Sequence, residues 1–168
     1  MKKKEEMIVL GIDPGTATTG WGLIQCSKAT MQQSHKALRY IAHGVIKTPV
    51  GMIMGERLLM LHTELTKVLV KYKPQVMVIE QLFFGRNVKT GMTVGQARGV
   101  ILMAAAQAHL EPFEYQGLWV KKKLCGDGYA DKKKIQETVR KILKLRLVPK
   151  PDDAADALGL AICYLQNV

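Results

Sequence analysis

The chain has 168 residues, of which 48% are hydrophobic, so it suits one domain with a single core and is not a disordered tail. Lys and Arg number 25 against 14 Asp and Glu, a formal net charge of +11. This excess predicts a polyanionic partner, either nucleic acid or an acidic membrane surface, although a generally basic protein is the alternative. No segment approaches the ~20 apolar residues of a membrane span, so we expect no membrane association through such a segment.

The first half of the chain predicts three strands, a helix and a further strand. An apolar, β-branched run over 7–12 stops at an Asp-Pro-Gly turn, which is typical of a buried strand. Strand character returns over 21–25 and 39–47. The apolar residues of 53–72 recur at helical spacing, and the short apolar run 76–79 predicts a central strand. The inward face of the helix is predicted to carry Leu58, Leu61, Leu65, Val68 and Leu69.

The second half predicts three helices and one short strand. An alanine-rich helix is expected over 93–110, followed by a short strand over 112–115. Asp131 is predicted to cap a helix that reaches about Leu145, and the last helix is expected to begin near residue 152 or 153. The order of three strands, helix, strand, helix, strand, helix and helix indicates a mixed α/β domain.

Three widely spaced cysteines and the N-terminus bear on location and domain organisation. Cys26, Cys125 and Cys163 form no CxxC pair, which is typical of a reducing compartment, so we expect a cytoplasmic protein. No apolar signal-peptide core follows the polar N-terminus. We interpret residues 1–6 as a polar extension and residues 7–168 as a single domain.

Four acidic residues lie where predicted elements begin or end. Asp13 closes the first strand, and Glu80 closes the central one. If these strands are parallel neighbours, both carboxylates emerge at one edge of the sheet, where ligands bind in open α/β sheets. Asp153 and Asp156 are three residues apart at the start of the last helix and share one of its faces. We therefore predict that all four meet at this edge.

Clustered carboxylates are tolerated when a cation neutralises them or when one holds a proton. Oxygen ligands without convergent His or Cys suit Mg²⁺ or Mn²⁺ better than Zn²⁺. Two such ions about 3.5–4 Å apart activate a water and stabilise the leaving oxygen in phosphoryl transfer. Taken singly, each acid has a local alternative as a turn residue, a helix cap or a solvent-facing strand end. Together, in a basic chain, they are typical of a metal-dependent nuclease.

Four motifs resemble one known family. They are IVLGIDPG over 8–15 with TGWG over 19–22, IEQLFF over 79–84, GQARG over 95–99, and DAADAL over 153–158. In this order and spacing they resemble the RuvC family of bacterial Holliday-junction resolvases over nearly the whole chain.

The resemblance implies an RNase H-like fold, α/β, with a mixed five-stranded sheet flanked by helices. It implies paired, symmetric nicking of four-way DNA junctions during homologous recombination and repair by a homodimer. Divalent metal follows from it as well, and we expect two Mg²⁺ ions per active site, with Mn²⁺ as a substitute. A branch-migration motor is the implied partner, in the bacterial cytoplasm and in association with the nucleoid.

The resemblance also assigns roles to individual acids and lysines. Asp13, Glu80, Asp153 and Asp156 match the catalytic, metal-binding acids of the family. Asp152 is an extra acid that competes for the cap of the last helix and that we do not expect to be a ligand.

Lys121 and Lys132 match two catalytic lysines near the scissile phosphate, where positive charge stabilises the transition state. Each belongs to a triplet of lysines, and spacing leaves open which member enters the site. Phe83 matches an aromatic that stacks on unstacked bases, with a core position as the alternative. Arg86 is a further candidate for contact with DNA.

Three other functions compete with this interpretation. The loop over 13–20 resembles the first phosphate loop of actin-like kinases and ATPases, but those proteins normally need a second domain to close over the nucleotide. RNase H-like nucleases that act on ribosomal RNA precursors share the opening turn, but the Glu80 motif and the closing acidic motif favour the junction enzyme. A catalytically silent DNA-binding module is the third, and four intact acids argue against it.

Overall fold

The computed structural model describes residues 6–27, 38–82 and 88–168. Its strands are β1 (Glu6–Asp13), β2 (Thr18–Ser27), β3 (Leu38–Lys47), β4 (Val76–Glu80) and β5 (Phe113–Tyr115). Its helices are α1 (Met54–Tyr72), α2 (Val88–Gln107), α3 (Gly117–Cys125), α4 (Lys132–Ile142) and α5 (Asp152–Asn167).

The strands form one mixed sheet in the order β3-β2-β1-β4-β5, as the sequence predicted for the fold class. β1 is antiparallel to β2, and β2 is antiparallel to β3. β1 is parallel to β4, which in turn is parallel to β5. The parallel pairing of the first and middle strands, on which the acidic-site hypothesis depends, is therefore present.

Helices cover both faces of the sheet because the strands are apolar on both sides. Along β1, Val9 belongs to the core under α3, α4 and α5, whereas Leu10 and Ile12 belong to the core under α1 and α2. On α1 the predicted inward face is confirmed: three of its leucines are buried, and Leu58 and Val68 pack partly buried against them. Within the described residues, no helix is both long and apolar enough to cross a membrane.

Two helices differ from the sequence-based prediction: one was not expected, and the other is longer than expected. No helix was expected over 117–125, yet α3 lies there, with Val120 as its buried residue. A nine-residue helix with three consecutive lysines has almost no apolar periodicity, so packing against the neighbouring helices decides its conformation. α2 begins at Val88 rather than at residue 93, because Gly91 weakens the local helical signal.

Two boundaries also differ slightly from prediction. β1 already includes Glu6, which pairs with Ser27, so the strand begins inside the predicted extension; residues 1–5 lie outside the described part of the chain. α4 begins as predicted, with the Asp131 carboxylate accepting a 2.7 Å hydrogen bond from the Lys134 backbone N–H, but ends at Ile142.

Candidate active site

Asp13 and Glu80 end adjacent parallel strands. Ile12 pairs with Ile79 across β1 and β4, so the two acids that follow leave the sheet side by side. Their carboxyl groups are close enough for a side-chain hydrogen bond, which favours the protonated form of Asp13. Burial raises the pKa of Asp13 well above its ordinary value of 3.8, and the negative charge of Glu80 is the second-largest cause of this rise.

The start of α5 reaches the same edge because it packs on glycines of the sheet. A Cβ on Gly11 would stand 1.9 Å from the carbonyl oxygen of Ala157, and one on Gly20 would stand 2.1 Å from that of Asp153. Both distances are far below van der Waals contact, so any side chain at these positions would push the helix away. The close approach brings Asp153 and Asp156 within electrostatic reach of Asp13.

Asp156 interrupts an otherwise buried stretch of α5, from residue 154 to residue 165. Its side chain lines a cavity of about 170 Å³ together with Glu80 and Lys121. Burial and the charge of Glu80 raise the pKa of Asp156 to about 6, and the charge of Lys121 opposes the rise. A carboxylate at this position costs folding energy, which indicates a role other than packing.

The acids fit a divalent cation by chemistry and by position. Their mutual repulsion raises the pKa of Asp13 and of Asp156 in addition to the effect of burial, so lysines alone do not neutralise the cluster. As the side chains stand, no three acidic, histidine or cysteine groups in 6–27, 38–82 and 88–168 are arranged to hold an ion. The raised pKa of Asp13 favours its protonated form instead, and a cation would replace that proton as the neutralising charge.

One lysine of the first triplet lies at the acids. Lys121 is partly buried and lines the cavity with Glu80 and Asp156, whereas Lys122 and Lys123 are exposed. Because α3 is helical, which the sequence did not predict, Lys121 points toward the acids while the two lysines that follow it are exposed to solvent.

In the second triplet, Lys132 is the member that contacts Asp152, the extra acid beside the acidic motif. It forms an ion pair with Asp152, and this hydrogen bond raises the pKa of Lys132 and lowers that of Asp152. Lys134 instead pairs with Asp127 at 3.8 Å. Asp152 is not the cap of α5, because Pro151 occupies the N-cap position.

A polar network that sequence reasoning missed supports the loop after Asp13. The Thr48 hydroxyl donates to the carbonyl of Thr16 at 2.6 Å and accepts from Arg57 Nε at 2.9 Å. The Thr16 hydroxyl donates to the carbonyl of Thr93 at 2.7 Å, which ties the loop to α2. Thr16 is 32 residues from Thr48 and 77 residues from Thr93, so no local sequence pattern predicts the network.

Gly117 is a second residue that sequence reasoning missed. A Cβ on Gly117 would stand 2.1 Å from Glu80 Oε1, so the first residue of α3 leaves room for the Glu80 carboxylate. The predicted DNA contacts Phe83 and Arg86 lie in 83–87, outside the described residues, and their roles stay predictions.

Comparison with known proteins identifies relatives along nearly the whole chain. A family model described as crossover junction endodeoxyribonuclease RuvC matches residues 9–164, a range that contains all four acids. The crossover junction endodeoxyribonuclease RuvC of Rubrobacter xylanophilus is 48% identical over 159 residues, which cover 95% of this chain and 85% of that protein.

Solved structures show the same similarity. The RuvC structure from Thermus thermophilus matches with a TM-score of 0.80 at 33% identity, covering 93% of this chain and 92% of that one. The T. thermophilus RuvC structure in complex with a Holliday junction substrate also has a TM-score of 0.80, at 31% identity, covering 93% and 91% of the two chains. The RNase H-like fold expected from the sequence is confirmed by these matches.

Proposed function

The chain belongs to the RuvC family, and we propose that it is a crossover junction endodeoxyribonuclease that resolves four-way DNA junctions by paired, symmetric nicks. The observation that carries the proposal is the meeting of Asp13, Glu80, Asp153 and Asp156 at one edge of the sheet. RuvC nucleases depend on divalent metal, which agrees with the uncompensated charge of this cluster.

We assign the metal-binding role to these four acids, with two Mg²⁺ ions per site and Mn²⁺ as a substitute. When bound, the ions activate the attacking water and stabilise the leaving oxygen. Before binding, the raised pKa of Asp13 favours a proton on its carboxyl group, which reduces the negative charge of the cluster. Release of this proton gives Asp13 the negative charge that a cation requires.

Two lysines supply positive charge from the protein itself. Lys121 lies in the cavity beside Glu80 and Asp156, where it meets a phosphate that approaches the acids. Its ammonium group neutralises charge that develops on the phosphate during attack. Lys132, at the start of α4, is held near the acids by Asp152, and we assign it the same role.

The remaining assignments concern DNA and assembly. We propose that Phe83 stacks on an unstacked base at the branch point and that Arg86 contacts the DNA. The net charge of +11 supports binding to the phosphate backbone, and the complex of T. thermophilus RuvC with its Holliday junction substrate supports a four-way junction as substrate. We propose that residues 7–168 form one domain and that two copies form a homodimer, whose two active sites nick two strands. The dimer is expected to work with a branch-migration motor in the bacterial cytoplasm, in association with the nucleoid.

The test is a nicking assay on a synthetic four-way junction beside a linear duplex of the same arm sequence, with Mg²⁺ and with EDTA. Paired nicks that require Mg²⁺ and appear on the junction alone are expected. The assay covers several core sequences, so that a preference for the sequence at the cut does not conceal cleavage. Absence of cleavage across those sequences, in Mg²⁺ and in Mn²⁺, would contradict the proposal and favour a silent DNA-binding module.

A further inference from the structure

A second and larger cavity adjoins the acids. It has a volume of about 400 Å³ and shares Glu80, Gly117 and Lys121 with the smaller cavity that Asp156 lines. Volumes of this order are typical of sites for small organic groups. A molecule whose phosphate lies at the acids therefore has space for a neighbouring group on this side of Glu80.

The walls of this cavity are largely apolar and come from four parts of the chain. Pro14 follows β1, Leu82 follows β4, Val94 belongs to α2 and Leu118 belongs to α3. Leu118 is 57% exposed, although it lies beside a cluster of charged groups. Its exposed side chain is therefore available for contact with an apolar ligand surface that enters the cavity.

Two glutamines supply the polar groups of the cavity. Gln81 follows β4, and Gln116 occupies the N-cap position of α3 without forming a side-chain capping bond. Both side chains are exposed, and neither side-chain amide has a hydrogen-bond partner within the described part of the chain. Glutamine amides offer both donors and acceptors, which suit the edge of a nucleobase.

We propose that this cavity binds one unstacked nucleobase of a nucleotide that adjoins the scissile phosphate, and that Gln81 and Gln116 distinguish between bases. The inference rests on the proposed nuclease function, since it takes the phosphate to lie at the acids. The apolar walls replace the stacking partner that a base loses at the branch point.

The first measurement is direct occupancy. 2-Aminopurine is placed in turn at each nucleotide flanking the cut, and its fluorescence is recorded on binding in Ca²⁺ to an Asp13→Asn variant, which does not need to cut. We expect a change in fluorescence at one position, and expect Leu118→Ala to reduce that change. Leu147→Ala is the matched control, since Leu147 is also exposed, at 80%, and lines a different cavity.

The second measurement is base selectivity. Junctions carrying each of the four bases at that nucleotide are cut under single-turnover conditions by the parent and by Gln81→Ala and Gln116→Ala. Loss of a bidentate contact is expected to narrow the spread between the best and worst base by about 5- to 100-fold. The Leu147→Ala control should keep the parental spread.

The outcomes separate this inference from the proposed function. If the parent nicks junctions but both glutamine variants slow all four substrates equally and Leu118→Ala leaves the fluorescence change intact, the cavity does not bind a base, although the nuclease function stands. If the parent nicks no junction, the proposed function fails. The fluorescence experiment decides the inference in either case, because it measures binding without cleavage.

Discussion

Gly20 of β2 lies directly against the backbone of Asp153 at the start of α5. A Cβ on Gly20 would stand 2.1 Å from the carbonyl oxygen of Asp153 and 3.0 Å from its Cβ. The position of a proposed metal ligand thus depends on the absence of a side chain on a neighbouring strand. Since the contact is with backbone, rotation of a side chain cannot relieve an added methyl group.

Gly20→Ala is therefore expected to displace the first turn of α5. We expect the free energy of unfolding to fall by about 1–3 kcal/mol, as in other overpacked sites, and nicking to fall with it. Urea unfolding and the junction assay measure the two effects. Gly55→Ala is the control, because a Cβ there would meet nothing within 4 Å. Parental stability and cleavage in Gly20→Ala would show that α5 does not need this close approach.

Asp13→Asn should abolish nicking while junction binding persists. The substitution keeps the shape of the side chain but removes a charge from the acids that we assign to metal binding. A gel-shift assay and a nicking assay in saturating Mg²⁺ separate the two properties. Asp127→Asn, an exposed acid paired with Lys134, should cut normally. A parental rate in Asp13→Asn would remove this residue from the metal site.

Metal-free stability should depend on pH through Asp156. Its pKa is about 6 in the folded protein and 3.8 ordinarily, so between these values the folded protein binds more protons than the unfolded chain. The contribution of this group to the free energy of unfolding therefore falls as pH rises from about 4 to about 6 and stays lower above that range.

Asp156→Asn removes this penalty. In EDTA, we expect the variant to gain stability over the parent at pH 7.5 and to lose most of that gain at pH 4. Urea unfolding at both pH values measures the difference. Mg²⁺ at pH 7.5 should stabilise the parent more than the variant. An equal gain at both pH values would mean that packing, not ionisation, causes the effect.

Lys121→Ala and Lys122→Ala should behave differently despite adjacent positions. Lys121 lines the acidic cavity, whereas Lys122 is exposed on α3. We expect the single-turnover rate of Lys121→Ala to fall by about 10²- to 10³-fold, as for loss of other groups that stabilise developing charge. Lys122→Ala should change only the salt dependence of DNA binding. Equal rates for the two variants would place Lys121 outside the reaction.

Thr48→Val tests the support of the loop after Asp13. Thr48 is 5% exposed, and its hydroxyl both donates to Thr16 and accepts from Arg57. Leaving these partners unsatisfied is expected to cost about 1–3 kcal/mol in the free energy of unfolding. We also expect a higher Mg²⁺ concentration for half-maximal nicking. Thr48→Ser keeps the hydroxyl and should restore the Mg²⁺ dependence; failure to do so would argue against the hydrogen bonds as the cause.

Local patterns along the chain were sufficient to predict the elements that depend on neighbouring residues. Apolar runs that end at Asp13 and at Glu80 placed two acids at strand ends, since a strand leaves a sheet where its apolar pattern stops. Asp131 was identified as a helix cap from its position before an amphipathic segment. The ordered set of motifs indicated the family, because their combination is specific even though each motif alone is weak.

Contacts between distant parts of the chain could not be predicted from the sequence and are shown only by the tertiary structure. The contact of Gly20 with Asp153 joins residues 133 positions apart. Lys121 rather than Lys122 lies at the acids because of the geometry of α3, a helix too short for its apolar pattern to be recognised in the sequence. The Thr48 network likewise connects loops and helices through single hydroxyl groups. Such contacts leave no periodic trace along the chain, because their free energy arises from packing and desolvation between elements rather than from neighbouring residues.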